Sequence, residues 1–179
     1  MKHQFSGLLC LLACTYFFTS CKKDTDIVLE NKSATFESTS AAAVSKMSRA
    51  VPFKGEYATT VQVLSGPPML RQRITGNGHA THLGKSSFVA LSTVNLTTPP
   101  PFGVGGTAIF YAANGDEFYT AFSGTSTPIG GGMSNVILTH TISGGTGRFE
   151  NASGSFTGIT VANPAMPTGS ITYEGYISY

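Results

Sequence analysis

The sequence of 179 residues predicts an all-β domain from Val51 to Tyr179, an eight-stranded antiparallel up-and-down barrel behind an export segment and a flexible tether. Three observations carry that prediction. Apart from Gly7, every glycine falls after Val51, among the Val, Ile, Thr, Phe and Tyr residues that suit a pleated sheet. No helical apolar period persists over the length of a helix. The β-forming runs are separated by short Gly, Pro and Asn punctuation, which favours antiparallel neighbours because parallel pairs need long crossovers.

The runs follow in order. Phe53–Leu64 stops at Ser65-Gly66-Pro67-Pro68, and Leu70–Leu83 and Ser87–Leu96 come next. Thr98-Pro99-Pro100-Pro101 cannot continue a ladder, since proline has no N–H to donate, so Thr97 to Gly106 reads as a long loop. Thr107–Ala113 and Glu117–Ser123 flank Asn114-Gly115-Asp116, the strongest hairpin signal, because Asn-Gly readily takes the positive φ values of a type I′ turn. Asn135–Ile142, Ser153–Val161 and Ser170–Ser178 complete the set. These residues suffice for one domain with one core. Eight antiparallel strands leave two bare edges unless the sheet closes, and closure gives an interior just wide enough for side chains or one small ligand. A two-sheet sandwich is the alternative. Thr107–Ala113 and Asn135–Ile142 are apolar on both faces, whereas a solvated barrel wall should alternate cleanly. A homo-oligomer covering the outer wall follows as an expectation.

The chain before Val51 has a different composition. Met1-Lys2-His3-Gln4 is basic, residues Phe5 to Phe18 are almost wholly apolar, and Thr19-Ser20-Cys21 closes the run with small residues. Those are the parts of a secretory signal peptide, and the run is short of the ~20 apolar residues that span a bilayer. Phe18-Thr19-Ser20-Cys21 resembles the lipobox of bacterial lipoproteins, with Phe18 where that family usually has Leu. The resemblance implies a lipoprotein signal peptide at residues 1–20 and a lipidated Cys21, carrying palmitate-like acyl chains that moor the protein to a membrane. Leu11-Leu12-Ala13-Cys14 matches the box more closely, but cleavage there would leave too short an apolar run and an apolar new N-terminus. Lys22 and Lys23 replace the Asp that holds many lipoproteins at the inner membrane, so the expected location is the outer membrane of a bacterial envelope. Ordinary secretion is the alternative. Residues 21–50 hold no Gly, no Pro and one aromatic, Phe36, too little apolar surface to offset ordering entropy. They read as a disordered tether with a coil reach of ~30 Å.

All three cysteines (Cys10, Cys14, Cys21) lie in or at the end of the signal, so the mature domain has no disulfide, thiol nucleophile or thiolate metal site. From Val51 onward five basic side chains (Lys54, Arg71, Arg73, Lys85, Arg148) balance five acids (Glu56, Asp116, Glu117, Glu150, Glu174). A neutral domain with no basic stripe lacks the footprint of a nucleic-acid binder.

Three segments are distinctive together: Gly76-Asn77-Gly78-His79-Ala80-Thr81-His82-Leu83-Gly84, Ala112-Ala113-Asn114-Gly115-Asp116-Glu117-Phe118, and Ile142-Ser143-Gly144-Gly145-Thr146-Gly147-Arg148-Phe149 running on to Gly154. In this order they resemble the bacterial domains similar to the allene oxide cyclase barrel, a relative of the plant dirigent barrel, over about Phe53 to Tyr179. The resemblance implies an eight-stranded barrel with an apolar lumen, often trimeric in plant members. The plant cyclases convert a fatty-acid epoxide to a cyclopentenone, and dirigent proteins steer the coupling of phenolic radicals. No catalytic residue of either maps onto this sequence, and shared fold is a weak warrant for shared chemistry.

The motifs have structural readings beside the chemical ones. Gly144-Gly145-Thr146-Gly147 lacks the Lys-Ser/Thr and following helix of a phosphate loop. Asn114, Gly115, Asp116, Gly145, Gly147 and Arg148 read instead as a turn cluster in which Arg148 pairs with Asp116 and locks one barrel end. His79 and His82 face opposite sides of a strand, and no third ligand accompanies them, so no metal is expected. His82, His140 and Glu117 are the candidate ligand-binding residues: a histidine at the barrel end, a wall histidine, and a carboxylate whose pKa would rise if it faced an apolar lumen. No G-x-S-x-G or other nucleophile arrangement occurs, and neither a catalytic residue nor a cofactor is expected. The first functional expectation is an envelope lipoprotein whose barrel binds a small apolar or amphipathic molecule. An isomerase or cyclase acting on an unsaturated lipid needs an open lumen with a polar group. A non-catalytic protein working through its outer surface needs only a filled one.

Overall fold

Alternating side-chain burial is what a half-solvated sheet requires, and it runs through the domain. In the computed structural model, which describes residues 49–179, eight strands follow one another. They are β1 (Val51–Ser65), β2 (Met69–Ala80), β3 (Gly84–Asn95), β4 (Phe102–Tyr111), β5 (Glu117–Gly130), β6 (Met133–Gly145), β7 (Ser153–Ala162) and β8 (Thr168–Ser178). A single 3-10 turn, Gly147–Phe149, lies between β6 and β7. The signal peptide, Cys21 and all of the tether but Arg49 and Ala50 lie outside the described residues.

Each strand pairs antiparallel with its sequence neighbours, and β8 returns to β1 with Val51 opposite Ile177 and Thr60 opposite Thr168. The sheet is a closed barrel, not a sandwich, so no edge is left to recruit another chain. Up-and-down order sets two ends. The near end holds Val51, the C-terminus and the connections 81–83, 112–116 and 146–152. The far end holds the connections 66–68, 96–101, 131–132 and 163–167.

Most strands run past the stretches read from sequence, and β4 and β5 do so by most at one end. β4 begins at Phe102, because Gly103, Gly105 and Gly106 are strand residues and not loop. At Gly106 a Cβ would stand 2.0 Å from the Leu91 carbonyl oxygen and 2.6 Å from the Phe122 ring, so glycine is there for close approach. β5 likewise continues past Ser123 to Gly130. β2 stops at Ala80, since His82 has φ 68° and reverses the chain. The Asn114-Gly115 turn differs in kind. Only Gly115 is left-handed there (φ 88°), the Gly115 N–H donates to the Ala112 carbonyl, and Ala112 pairs with Asp116. This is a three-residue loop with a glycine bulge instead of the two-residue type I′ turn. The Asn114 side chain bonds to Asp116 at 2.7 Å, which a type I′ turn would not need.

The interior is built from rings. Phe53, Tyr57, Phe88, Phe110, Phe118, Phe122, Phe156 and Tyr173 all point inward and are buried. Rings this large fit because β2 presents Gly76, Gly78 and Ala80 to the same space. A Cβ at Gly76 would lie 2.1 Å from the Phe88 ring. Phe149, from the 3-10 turn, closes the near end against Phe118 at 5.6 Å and Tyr179 at 5.1 Å.

Candidate functional site

Two places gather polar chemistry. One is in the lumen. Counting in twos from Phe118 puts Thr120 and Phe122 inward on β5, and the facing strand β6 brings His140 to the same layer. The His140 ring is stacked on Phe156 at 4.8 Å, tilted against Phe122 at 4.8 Å and met edge-on by Tyr173 at 5.3 Å. Its Nδ1 lies 3.1 Å from Thr120 Oγ1, and its Nε2 has no hydrogen-bond partner. Burial pushes the imidazole down to about 3, so the ring is neutral at ordinary pH. A base so far below neutrality is poorly matched to proton transfer near pH 7.

A second polar group sits lower. Ser86 donates to the Gly84 carbonyl at 3.1 Å, so Tyr57 donates its hydroxyl to Ser86 Oγ at 2.8 Å. Burial raises the Tyr57 phenol to about 12, and raises that of Tyr173 as well. Both stay protonated; Tyr57 serves as a hydrogen-bonding ring and Tyr173 as a packing one.

Side chains occupy the lumen itself. Phe110 stacks on Phe118 at 4.7 Å and lies 5.2–6.1 Å from Phe88, Tyr173, Phe156 and Tyr57. Two hollows open on the barrel wall. One is lined by Thr157, Ile159, Thr172, Tyr173 and Glu174 of β7 and β8, the other by Asn77, Lys85, Ser86, Ser87, Tyr111 and the start of the 112–116 connection.

The second place is the near end. The Asp116 carboxylate accepts from Asn114 Nδ2 at 2.7 Å and from the Arg148 N–H at 3.3 Å, and stands 3.8 Å from Arg148 Nε. Arg148 Nη2 donates to the His82 carbonyl, and its guanidinium lies 4.7 Å above the Phe149 ring. Gly147 (φ 54°) is required here, because a Cβ would meet Asp116 Oδ1 at 2.1 Å. Thr146, after Gly145, donates its N–H to Glu117 O at 2.8 Å. Three connections are thus tied across the barrel mouth. His82 joins them through Nε2 to the Pro52 carbonyl at 3.0 Å and Nδ1 to the Tyr179 hydroxyl at 3.1 Å.

His82, His140 and Glu117 are therefore not one site. His140 is inside, His82 caps the near end, and Glu117 faces outward because its neighbour Phe118 takes the inward position. Glu117 accepts from the Tyr119 hydroxyl at 3.2 Å on the outer wall, away from the lumen. His79 is an exposed outward residue of β2 and does not share a face with His82. Thr120, Ser86 and Tyr179 have roles that sequence reading missed; period-two counting from Phe118 or Phe88 marks the first two as inward, while nothing local marks Tyr179.

The near-end tie gives a direct expectation. Asp116→Asn and Arg148→Lys should couple by about 0.5–1 kcal/mol in a double-mutant cycle read by urea denaturation, since the pair is partly exposed. Strictly additive losses would show that the two groups act independently.

Among known proteins, no family model and no curated protein matches the sequence. Solved structures of the pterocarpan synthase dirigent proteins PsPTS1 and GePTS1 are structural neighbours. PsPTS1 is 11% identical with a TM-score of 0.41, over 73% of this chain and 96% of that one. GePTS1 is 12% identical with a TM-score of 0.41, over 74% of this chain and 92% of that one.

Proposed function

We propose that this chain is a bacterial envelope lipoprotein, acylated on Cys21, whose barrel is a solid non-catalytic scaffold that works through its outer surface. One observation carries the reading: the lumen is filled by mutually packed rings from Phe53 to Tyr173, which leaves a ligand no room without displacing them. A general acid–base catalyst in this interior would need a group titrating near neutrality, and the one imidazole there is held neutral by burial. The outer wall favours self-association. Val89, Ile109 and Tyr119 are paired neighbours across β3, β4 and β5 and form an outward apolar row. Burying such a row against a second copy would account for strands that are apolar on both faces.

One observation favours a second reading, a small amphipathic ligand in the lumen. The unpartnered His140 Nε2 is the kind of buried polar atom that a bound molecule would satisfy. Native mass spectrometry of protein from its own host decides between them. The scaffold reading expects a homo-oligomer whose added mass per chain equals the acyl groups on Cys21, and none of that mass on Cys21→Ala. A further stoichiometric adduct that survives Cys21→Ala would overturn the solid lumen in favour of the carrier.

A further inference from the structure

The far end of the barrel differs in composition from every other part of the domain. Val63, Leu64, Met69, Ile129, Met133 and Met166 stand there between 40% and 61% exposed, drawn from three of the four far-end connections and their flanking strand ends. Every proline except Pro52 lies at this end too. Charge is equally uneven. Arg71 and Arg73, both exposed on β2, are the charged side chains of this half, while Glu56, Asp116, Glu117, Glu150 and Glu174 all lie toward the near end.

We propose that this far end is a lipid-contacting crown that rests in the surface of an anionic bilayer. The proposal deepens the anchoring reading above and depends on it only for delivery of the domain to a membrane. Three features select lipid over a protein partner. Protein interfaces are anchored by Trp, Tyr and Arg in pockets, and of these the crown offers only Arg71 and Arg73, on an open strand face; the exposed Tyr176 and Tyr179 are at the opposite end. Flexible Met, Leu, Ile and Val fit an acyl boundary, which imposes no shape. The loop prolines carry no N–H, so immersing these turns leaves fewer donors without a partner.

Electrostatics adds direction. Two arginines with no acid beside them are drawn to anionic headgroups and orient the barrel with its far end down. The anchor does not oppose this, although the tether enters at the near end. The longest strand, β1, has 15 residues and is about 50 Å long. Residues 22–50 span up to about 100 Å when extended, enough to pass the barrel on the way back to the membrane.

The mature chain has no cysteine beyond Cys21, which makes single-site labelling clean. Met133→Cys, Met166→Cys and, as the near-end control, Asn151→Cys are labelled with an environment-sensitive dye in the full lipidated protein. The proteins are reconstituted into vesicles of phosphatidylethanolamine and phosphatidylglycerol. The expected result is a blue-shifted emission and strong quenching by spin-labelled lipid at positions 133 and 166, with water-like emission at 151. In Arg71→Gln/Arg73→Gln the shift should weaken, and vesicles of phosphatidylcholine alone should weaken it in the parent. Water-like emission at all three positions overturns the proposal. So does a blue shift that spin-labelled lipid does not quench, which would assign the crown to a second copy or another protein. Vesicle flotation reports the Cys21 anchor separately, so a floating protein with a water-exposed crown sinks this proposal and spares the anchor.

Discussion

Replacing Phe110 by alanine is expected to lower the stability of the barrel by about 3–5 kcal/mol. Phe110 is fully buried on β4, and its ring is the point at which the others meet. It stacks on Phe118 at 4.7 Å and touches Phe88 at 5.2 Å, Tyr173 at 5.5 Å and Phe156 at 5.6 Å. The neighbouring inward positions on the strand, Ala108 and Ala112, are too short to fill the gap, and the surrounding backbone is fixed by a closed ladder. The hole would be walled by rings and should stay dry, as apolar cavities do. A urea titration of Phe110→Ala measures the loss, and a rise in melting temperature with added benzene or indole reports the cavity. A loss below about 1 kcal/mol would mean that the rings repack freely and that the interior is not a rigid solid.

Acid should destabilise this barrel through one residue more than through any other. In the fold, burial holds the His140 imidazole at about 3, whereas in the unfolded chain it returns to about 6.5. Above that upper value both states carry a neutral ring, and the group makes no pH-dependent contribution. Below it the unfolded chain binds a proton that the fold refuses, so stability falls as pH falls. The slope approaches about 1.4 kcal/mol per pH unit and ends only when the folded ring itself protonates near pH 3. Across that window the loss reaches several kcal/mol, comparable with the whole stability of a small domain. His140→Phe with Thr120→Val removes the ring and its 3.1 Å partner together, leaving no hydroxyl unpaired. Urea midpoints at several pH values from about 7 down to about 4 should fall steeply for the parent and flatten in the variant, with the carboxylates common to both. Parallel curves would show that His140 is not the group titrating.

Much of this architecture was legible in the chain. The strands could be read because β-branched and aromatic runs alternate with proline and glycine breaks, and closure followed because eight antiparallel strands would otherwise leave two bare edges. What misled was glycine inside a strand. Gly103, Gly105, Gly106 and Gly124 look like loop in one dimension; the Phe122 ring and Leu91 carbonyl explain Gly106 and the Ile137 carbonyl explains Gly124, while nothing crowds Gly103. The turn at Asn114 was placed but mistyped, because its form is set by Asp116 and Arg148, 32 residues apart. The state of the lumen could not be read at all. Where strands are apolar on both faces, sequence does not say which ring points in. The inward place of His140 became clear only from its stacking on Phe156 and Phe122.

The seam between the first and last strands also bears on the order in which the domain can fold. Val51 finds its partner in Ile177, so the ring cannot be completed until the final residues are in place. Until then every partial sheet has bare margins, and pairing across so long a separation is slow. The barrel therefore commits to its shape only when both ends of the domain are present together.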